Sequence, residues 1–179
     1  MTTRRLATDE EARALASALR MRILRVCLGE AHTNKEIAEA VGRDPASTLH
    51  HVRRLVDTGF LAAEPVRRGT RGSREIPYIA SGKSWKLSTP AAGRVLLDAF
   101  LDEVALVPAT DMDSSRLGLR LSPDDMEEFR SRLQSLLDDF AQRPDDPTAP
   151  PWSVFLAIHP DVLRARATGA AKNPPRVVS

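Results

Sequence analysis

Ser47, His50, His51 and Arg54 recur at positions that an α-helix, turning about 100° per residue, gathers on one side. Each carries a hydrogen-bonding group at its tip, and the opposite side of the same helix is apolar, with Pro45, Leu49, Val52 and Val56 clustered and Leu55 beside them. Donors and acceptors with this reach suit base edges in a major groove, where arginine pairs with guanine O6 and N7. Arg53 falls toward the flank, in the position of a phosphate contact. A few residues beyond the helix, the run Arg67-Arg68-Gly69-Thr70-Arg71-Gly72-Ser73-Arg74 places four arginines and two glycines in eight residues. That composition makes a pliable cationic loop able to follow a phosphate backbone or enter a minor groove. Upstream, Thr33 at a helix start and Lys35 are further phosphate candidates, because a helix N-terminus presents free amides. Asn34 and Thr48 complete the candidate set.

The elements that must hold these residues are legible from caps and periodicity. Thr8-Asp9-Glu10-Glu11 is a capping box, and apolar residues from Ala12 to Cys27 at helical spacing predict one helix from Thr8 to about Leu28, stopped by Gly29. A second box, Thr33-Asn34-Lys35-Glu36, opens a short helix that turns Ile37, Ala38 and Val41 inward and stops at Gly42. Asp44 then stands where an N-cap belongs and Pro45 where the first helical residue belongs. Two short helices joined by the turn Gly42-Arg43-Asp44 are a helix-turn-helix. After Gly59-Phe60-Leu61, residues 62–66 and 75–80 read as extended, a hairpin with the arginine run at its tip, and Pro77 favours an edge position. Lys83 to Leu87 reads as a short strand or irregular return, and residues 89–107 form a further apolar helix with Val95, Leu96, Phe100, Leu101 and Val104 in its stripe, ended by Pro108.

Charge divides along the chain. Residues 1–94 hold 17 Lys or Arg against 10 Asp or Glu, residues 95–163 hold 5 against 14, and residues 164–179 hold 4 against none. The basic first half is suited to a polyanion and the acidic second half is not. In that second half Leu117 to Leu121 and Ser153 to Ile158 read as strands flanking a helix begun by Ser122-Pro123, whose buried stripe would be Met126, Phe129, Leu133, Leu136, Leu137 and Phe140. A loop with four prolines, 141–151, precedes the second strand. The expected fold class is thus α+β: mainly helical with a small β component, in which 8–107 is one domain, 108–163 an acidic strand-helix-strand region, and 164–179 a disordered basic tail.

The order helix, helix-turn-helix, basic hairpin, helix resembles the winged helix-turn-helix domain of bacterial ArsR-like transcriptional regulators. The residues that carry the resemblance are Thr33-Asn34-Lys35-Glu36-Ile37-Ala38 and Ser47 to Leu61, above all His51-Val52, Leu55 and Gly59-Phe60, with Leu19 to Leu24 in the first helix. The resemblance covers residues 8–107 and implies a homodimer built on the first helix and the 89–107 helix, with two recognition helices in successive major grooves and repression as the usual mode. The metal-sensing members' thiolate pairs and carboxylate-histidine clusters are missing here. Cys27 stands alone on an apolar face, while His32 and His159 are isolated, so no metal and no cofactor is expected.

An enzyme is not expected either: the sequence has no glycine-rich phosphate loop and no nucleophile elbow, and Asp124-Asp125 and Asp138-Asp139 fall on outward helix positions. No stretch approaches the roughly 20 apolar residues of a bilayer helix, and one cysteine with no apolar leader points to the cytoplasm, with the bacterial nucleoid as the place of action. The expected partners are double-stranded DNA, a second copy, and a small-molecule or protein effector at the C-terminal region, with no membrane. The rival reading is a winged-helix adaptor that binds protein or RNA. A single aromatic, Phe60, between residues 33 and 74 argues against stacking on single-stranded RNA.

Overall fold

The structure is a computed structural model that describes residues 4–69, 72–89, 92–144, 146 and 148–167. Arg71 and the tail from residue 168 onward lie outside the described residues. The first strand, β1 (Arg5–Leu6), leads into α1 (Asp9–Leu15), where the Thr8 capping box is formed in full. The predicted single helix is in fact two. Ala16 leaves helical geometry, and Ser17, extended at φ −157°, caps α2 (Ala18–Val26) by accepting from the Arg20 amide. Serine competes with the helix for backbone hydrogen bonds and is favoured at a cap rather than inside a turn. Arg20 secures the break, its guanidinium donating to the Ala14 and Arg13 carbonyls that end α1.

β2 (His32–Thr33) runs directly into α3 (Asn34–Ala40), whose Thr33–Glu36 capping box is also complete. Gly42, at φ +64°, makes the sharp turn that a side chain would strain, and Asp44 then caps α4 (Pro45–Asp57) through the Ser47 amide. Val52 and Leu55 of α4 are fully buried against Ile23, Cys27, Ile37, Val41 and Phe60. Each such side chain stabilises the fold by about 1.5–3 kcal/mol relative to exposure. Arg22 donates to the Val41 carbonyl at 3.2 Å and so closes the end of α3.

The wing is built from β3 (Leu61–Ala63), β4 (Arg67–Arg68), β5 (Arg74–Glu75) and β6 (Pro77–Ala80). β6 is the middle strand of an antiparallel sheet between β2 and β3, in register Ala62 with Ile79 and Thr33 with Pro77. Pro77 therefore occupies a central strand, not the expected edge. It stands at the strand's first residue, where a missing N–H breaks no ladder, and its carbonyl accepts from the Glu64 amide. β4 and β5 pair as the distal hairpin, Arg68 opposite Arg74. A 3₁₀ turn at Lys83–Lys86 then leads to β7 (Leu87–Ser88), which pairs in parallel with β1, and α5 (Gly93–Val104) packs Ala99 and Val95 onto the core.

Beyond Pro108 the fold departs further from expectation. α6 (Pro123–Ala141) forms with Ser122 as its cap, but residues 117–121 and 153–158 pair with nothing among the described residues, so the strand-helix-strand unit is not closed. Nor is the expected stripe buried: Leu136 is 53% and Phe140 56% exposed. The alternation of Leu117, Leu119 and Leu121 is real, yet a strand exists only when a neighbour satisfies its backbone. Phe155 instead stacks flat on Phe100 of α5, ring centroids 4.5 Å apart. Residues 162–167 form a short helix, α7 (Val162–Ala167), where a disordered tail is expected from 164.

Candidate nucleic-acid interface

α4 presents its candidate residues unequally. Ser47, His50 and Arg53 are exposed, His51 and Arg54 half-buried, and Thr48 is fully buried with its hydroxyl donating to the Asp44 carbonyl at 2.9 Å. Thr48 is therefore a core residue and is withdrawn from the interface: it lies on the helix side that packs against α3, between the apolar positions 45 and 52. Arg54 reaches Glu10 of α1 at 3.3 Å. The His50 and His51 rings meet edge to face at 5.6 Å. Burial, then Arg20, then His50 push the His51 ring below the ordinary histidine range, and its Nδ1 is buried with no hydrogen-bond partner among the described residues. A ring held neutral is a hydrogen-bonding group, not a cation for phosphate.

At the entry to the motif Thr33 is buried and committed to its capping box, and Asn34 donates to the Pro45 carbonyl at 2.8 Å, clamping the start of α4 to α3. Lys35 is exposed. On the wing, Arg67 is turned back onto Glu36, donating to both carboxylate oxygens at 2.7 and 2.9 Å, with Glu75 at 3.8 Å. Arg68 and Arg74 are exposed and make no ion pair among the described residues. The N-terminus of α4 is closed by the Asp44 carboxylate, which accepts from the Ser47 amide at 2.9 Å, so the positive charge open to a polyanion comes from exposed side chains, Arg53 on α4 and Arg68 and Arg74 on the wing.

Two supports of this face have no local sequence signal. Lys83, more than twenty residues after α4, donates to the Thr58 carbonyl at 2.6 Å and to Glu11 at 2.8 Å, so it ties the exit of α4 to α1 while its ammonium lies over the Phe60 ring. Glu36 is visible in the sequence as a capping residue, but its second role as the counter-ion of Arg67 depends on where the hairpin folds.

Residues 15–64 match the family model of a helix-turn-helix domain, a span that starts at the end of α1 and closes with β3. The chain carries a winged helix-turn-helix domain. Solved structures similar to it include reduced HlyU from Vibrio cholerae, 18% identical over 50% of this chain and 81% of that one, with a TM-score of 0.32. Mb0332 from Mycobacterium bovis, described as a homodimeric winged helix-turn-helix DNA-binding domain and a possible ArsR-family transcriptional regulator, is 21% identical over 56% of this chain and 91% of its own, TM-score 0.34. Rv0081 from M. tuberculosis is 26% identical over 51% and 87%, TM-score 0.35. No curated protein matches the chain. The winged helix-turn-helix assignment accordingly rests on this chain's own elements and on the family match, which agree with the ArsR-like resemblance in its sequence.

Within the winged helix-turn-helix domain, Ser47, His50, Arg53, Lys35, Arg68 and Arg74 form the openly exposed candidate set. Arg54 and Arg67 border it in ion pairs, and Thr33 and Asn34 act within the scaffold. Cys27 is buried, which pushes its thiol up to about 12, as suits a packed small hydrophobe. No group of three metal-ligating side chains and no helix long and apolar enough to cross a membrane occurs among the described residues.

Proposed function

We propose that the protein is a sequence-specific double-stranded DNA-binding transcriptional regulator that acts as a homodimer, as a repressor, in the bacterial cytoplasm, with no catalytic activity of its own. The observation that carries this reading is the exposed polar face of α4, with Ser47, His50 and Arg53, on a capped helix beside a hairpin that exposes Arg68 and Arg74. α4 enters the major groove; Arg54 joins base contact once it leaves Glu10, and His51 serves as a neutral hydrogen-bonding neighbour. Lys35 and Arg53 hold phosphates, and Arg67, Arg68, Arg71 and Arg74 follow the backbone or the minor groove.

The dimer uses α1 and α5, a reading supported by the exposed Leu96 and Leu101 on α5. Its half-sites then lie about 34–36 Å apart. The acidic region after Pro108 stays off the duplex and receives a small-molecule or protein effector. The adaptor reading is weaker for RNA, because Phe60 is buried in the core and cannot stack on a base.

Fluorescence anisotropy of labelled duplex from the promoter of the protein's own gene, against a scrambled duplex and a single strand across a salt series, tests the proposal. Preference of about a thousandfold for the promoter with a steep fall in affinity as salt rises is the expected result. Equal weak binding to all three at every salt concentration would favour the adaptor.

A further inference from the structure

α6 buries a polar residue on one side and leaves apolar ones open on the other. Asp138 is buried, and Gln134, which donates to it at 2.9 Å, and Ser131 are half-buried beside it. On the opposite side Leu136 and Phe140 are exposed, Phe140 beneath the Arg143 guanidinium of its own chain, while Phe129 and Leu133 are half-buried and line an open groove with Leu136 and Leu121. A 19-residue helix that turns a carboxylate inward and leaves Leu136 and Phe140 open beside a half-covered apolar groove is more favourable when something else covers that face. The groove carries the carboxylates of Asp125 and Glu128 against the single cation Arg132, a balance that disfavours nucleic acid.

We propose that the outward face of α6 is a homotypic interface, in which α6 of a second copy packs antiparallel across a two-fold axis at Leu136. The charges on its rim support a second copy over any other partner. Asp125, Arg132 and Asp139 are seven residues apart, so they line one flank of the stripe in the order minus, plus, minus. With the axis at Leu136, an antiparallel copy brings Arg132 opposite Asp139 of the other chain and Asp139 opposite its Arg132, while Leu133 meets the other Phe140. Arg132 is exposed and bound only within its own helix, to Glu128 at 3.1 Å, so it is free to exchange. This is the self-complementarity an isologous interface requires. It extends the homodimer proposed on α1 and α5 to a second surface and is independent of what α4 binds.

The test is directed cross-linking in the full chain. A Leu136→Cys variant placed on the axis should form a disulfide-linked dimer under mild oxidation at micromolar concentration, because cysteines at a helix-helix contact come within bonding reach. Glu127→Cys, on the far side of α6, should not, and Cys27 is buried and cannot contribute. Cross-linking of Leu136→Cys no faster than Glu127→Cys would overturn the proposal even if a dimer built on α5 persists. A charge exchange supplies the second readout. Arg132→Asp and Asp139→Arg should each weaken dimerisation at least threefold by sedimentation, and the double variant should restore it. Singles that leave the dimer constant unchanged, or a double variant no better than the singles, would point to a different occupant and also overturn the proposal.

Discussion

At the scale of single residues, carboxylates govern both the stability of the domain and the readiness of its arginines. Glu11 accepts from Arg5 at 2.6 and 2.8 Å, from Lys83 at 2.8 Å and from the Thr8 amide at 2.8 Å, so one side chain fastens β1, α1 and the return after the wing. The hydrogen bonds from Arg5, then those from Lys83 and Thr8, hold its carboxyl far below the usual carboxylate range. A depressed carboxylate contributes stability that is fully present above the unfolded value, about 4.3, and is lost as pH falls toward the folded one. Thermal unfolding midpoints should therefore fall as the protein is acidified below about pH 4. Glu11→Gln should cost about 1–3 kcal/mol at neutral pH and flatten that dependence; a variant with the wild-type acid limb would mean that other groups set it. Glu10 acts on function instead. It holds Arg54 in an exposed ion pair of the kind worth about 0.2–1 kcal/mol. Glu10→Gln should raise affinity for any duplex, by no more than about fivefold, and affinity that falls or stays level in filter-binding titrations would remove Arg54 from the proposed interface.

At the scale of elements, the wing is where folding and binding are hardest to separate, since Arg67 is committed to Glu36 while Arg68 and Arg74 are open. Arg68→Ala with Arg71→Ala should weaken binding to specific and scrambled duplex alike and reduce the slope of log affinity against log salt by about two, one per lost phosphate contact. An unchanged slope would take the wing away from the DNA. How far each element could be read from the sequence follows the range of the interactions that make it. Both capping boxes, the Asp44-Pro45 start of α4 and the Ser122 start of α6 formed as expected, because a cap is decided within four residues. The break at Ala16-Ser17 escaped the apolar period: periodicity continues through a cap, and the arginine that stabilises the break acts from a turn away. Thr48 looked polar and outward by type, yet a threonine can satisfy its hydroxyl on the backbone four residues back and be buried. Pro77 in a central strand and Lys83 on Thr58 depend on pairings across the fold that no local window contains. Residues 117–121 and 153–158 have the composition of strands and lack the neighbour that would make them so.

At the scale of the whole molecule, the charge asymmetry of the sequence coincides with a division of structural labour. Among the described residues, every member of the buried hydrophobic core falls between Ala14 and Ala99, and the partly buried residues packed on it between Ala7 and Val95, so the core is built from the basic half and α5, with nothing from beyond Pro108. The region beyond Pro108 exposes Leu117, Leu119, Leu136, Phe140, Val154, Leu156 and Ile158, and its contact with the rest includes the Phe100–Phe155 stack. One half closed upon itself and the other open is the pattern of a reader joined to an assembly unit. A chain ended after Pro108 should therefore unfold cooperatively, with a midpoint within a few degrees of the full chain, and should select the same base sequence from a randomised duplex pool. Its dimer should be weaker, since α6 is gone, so its affinity should depend more steeply on protein concentration. A truncated chain that stays folded and dimeric but selects a different sequence would mean that the acidic half touches the duplex or sets the spacing of the two recognition helices, and the division between reader and assembly unit would fail.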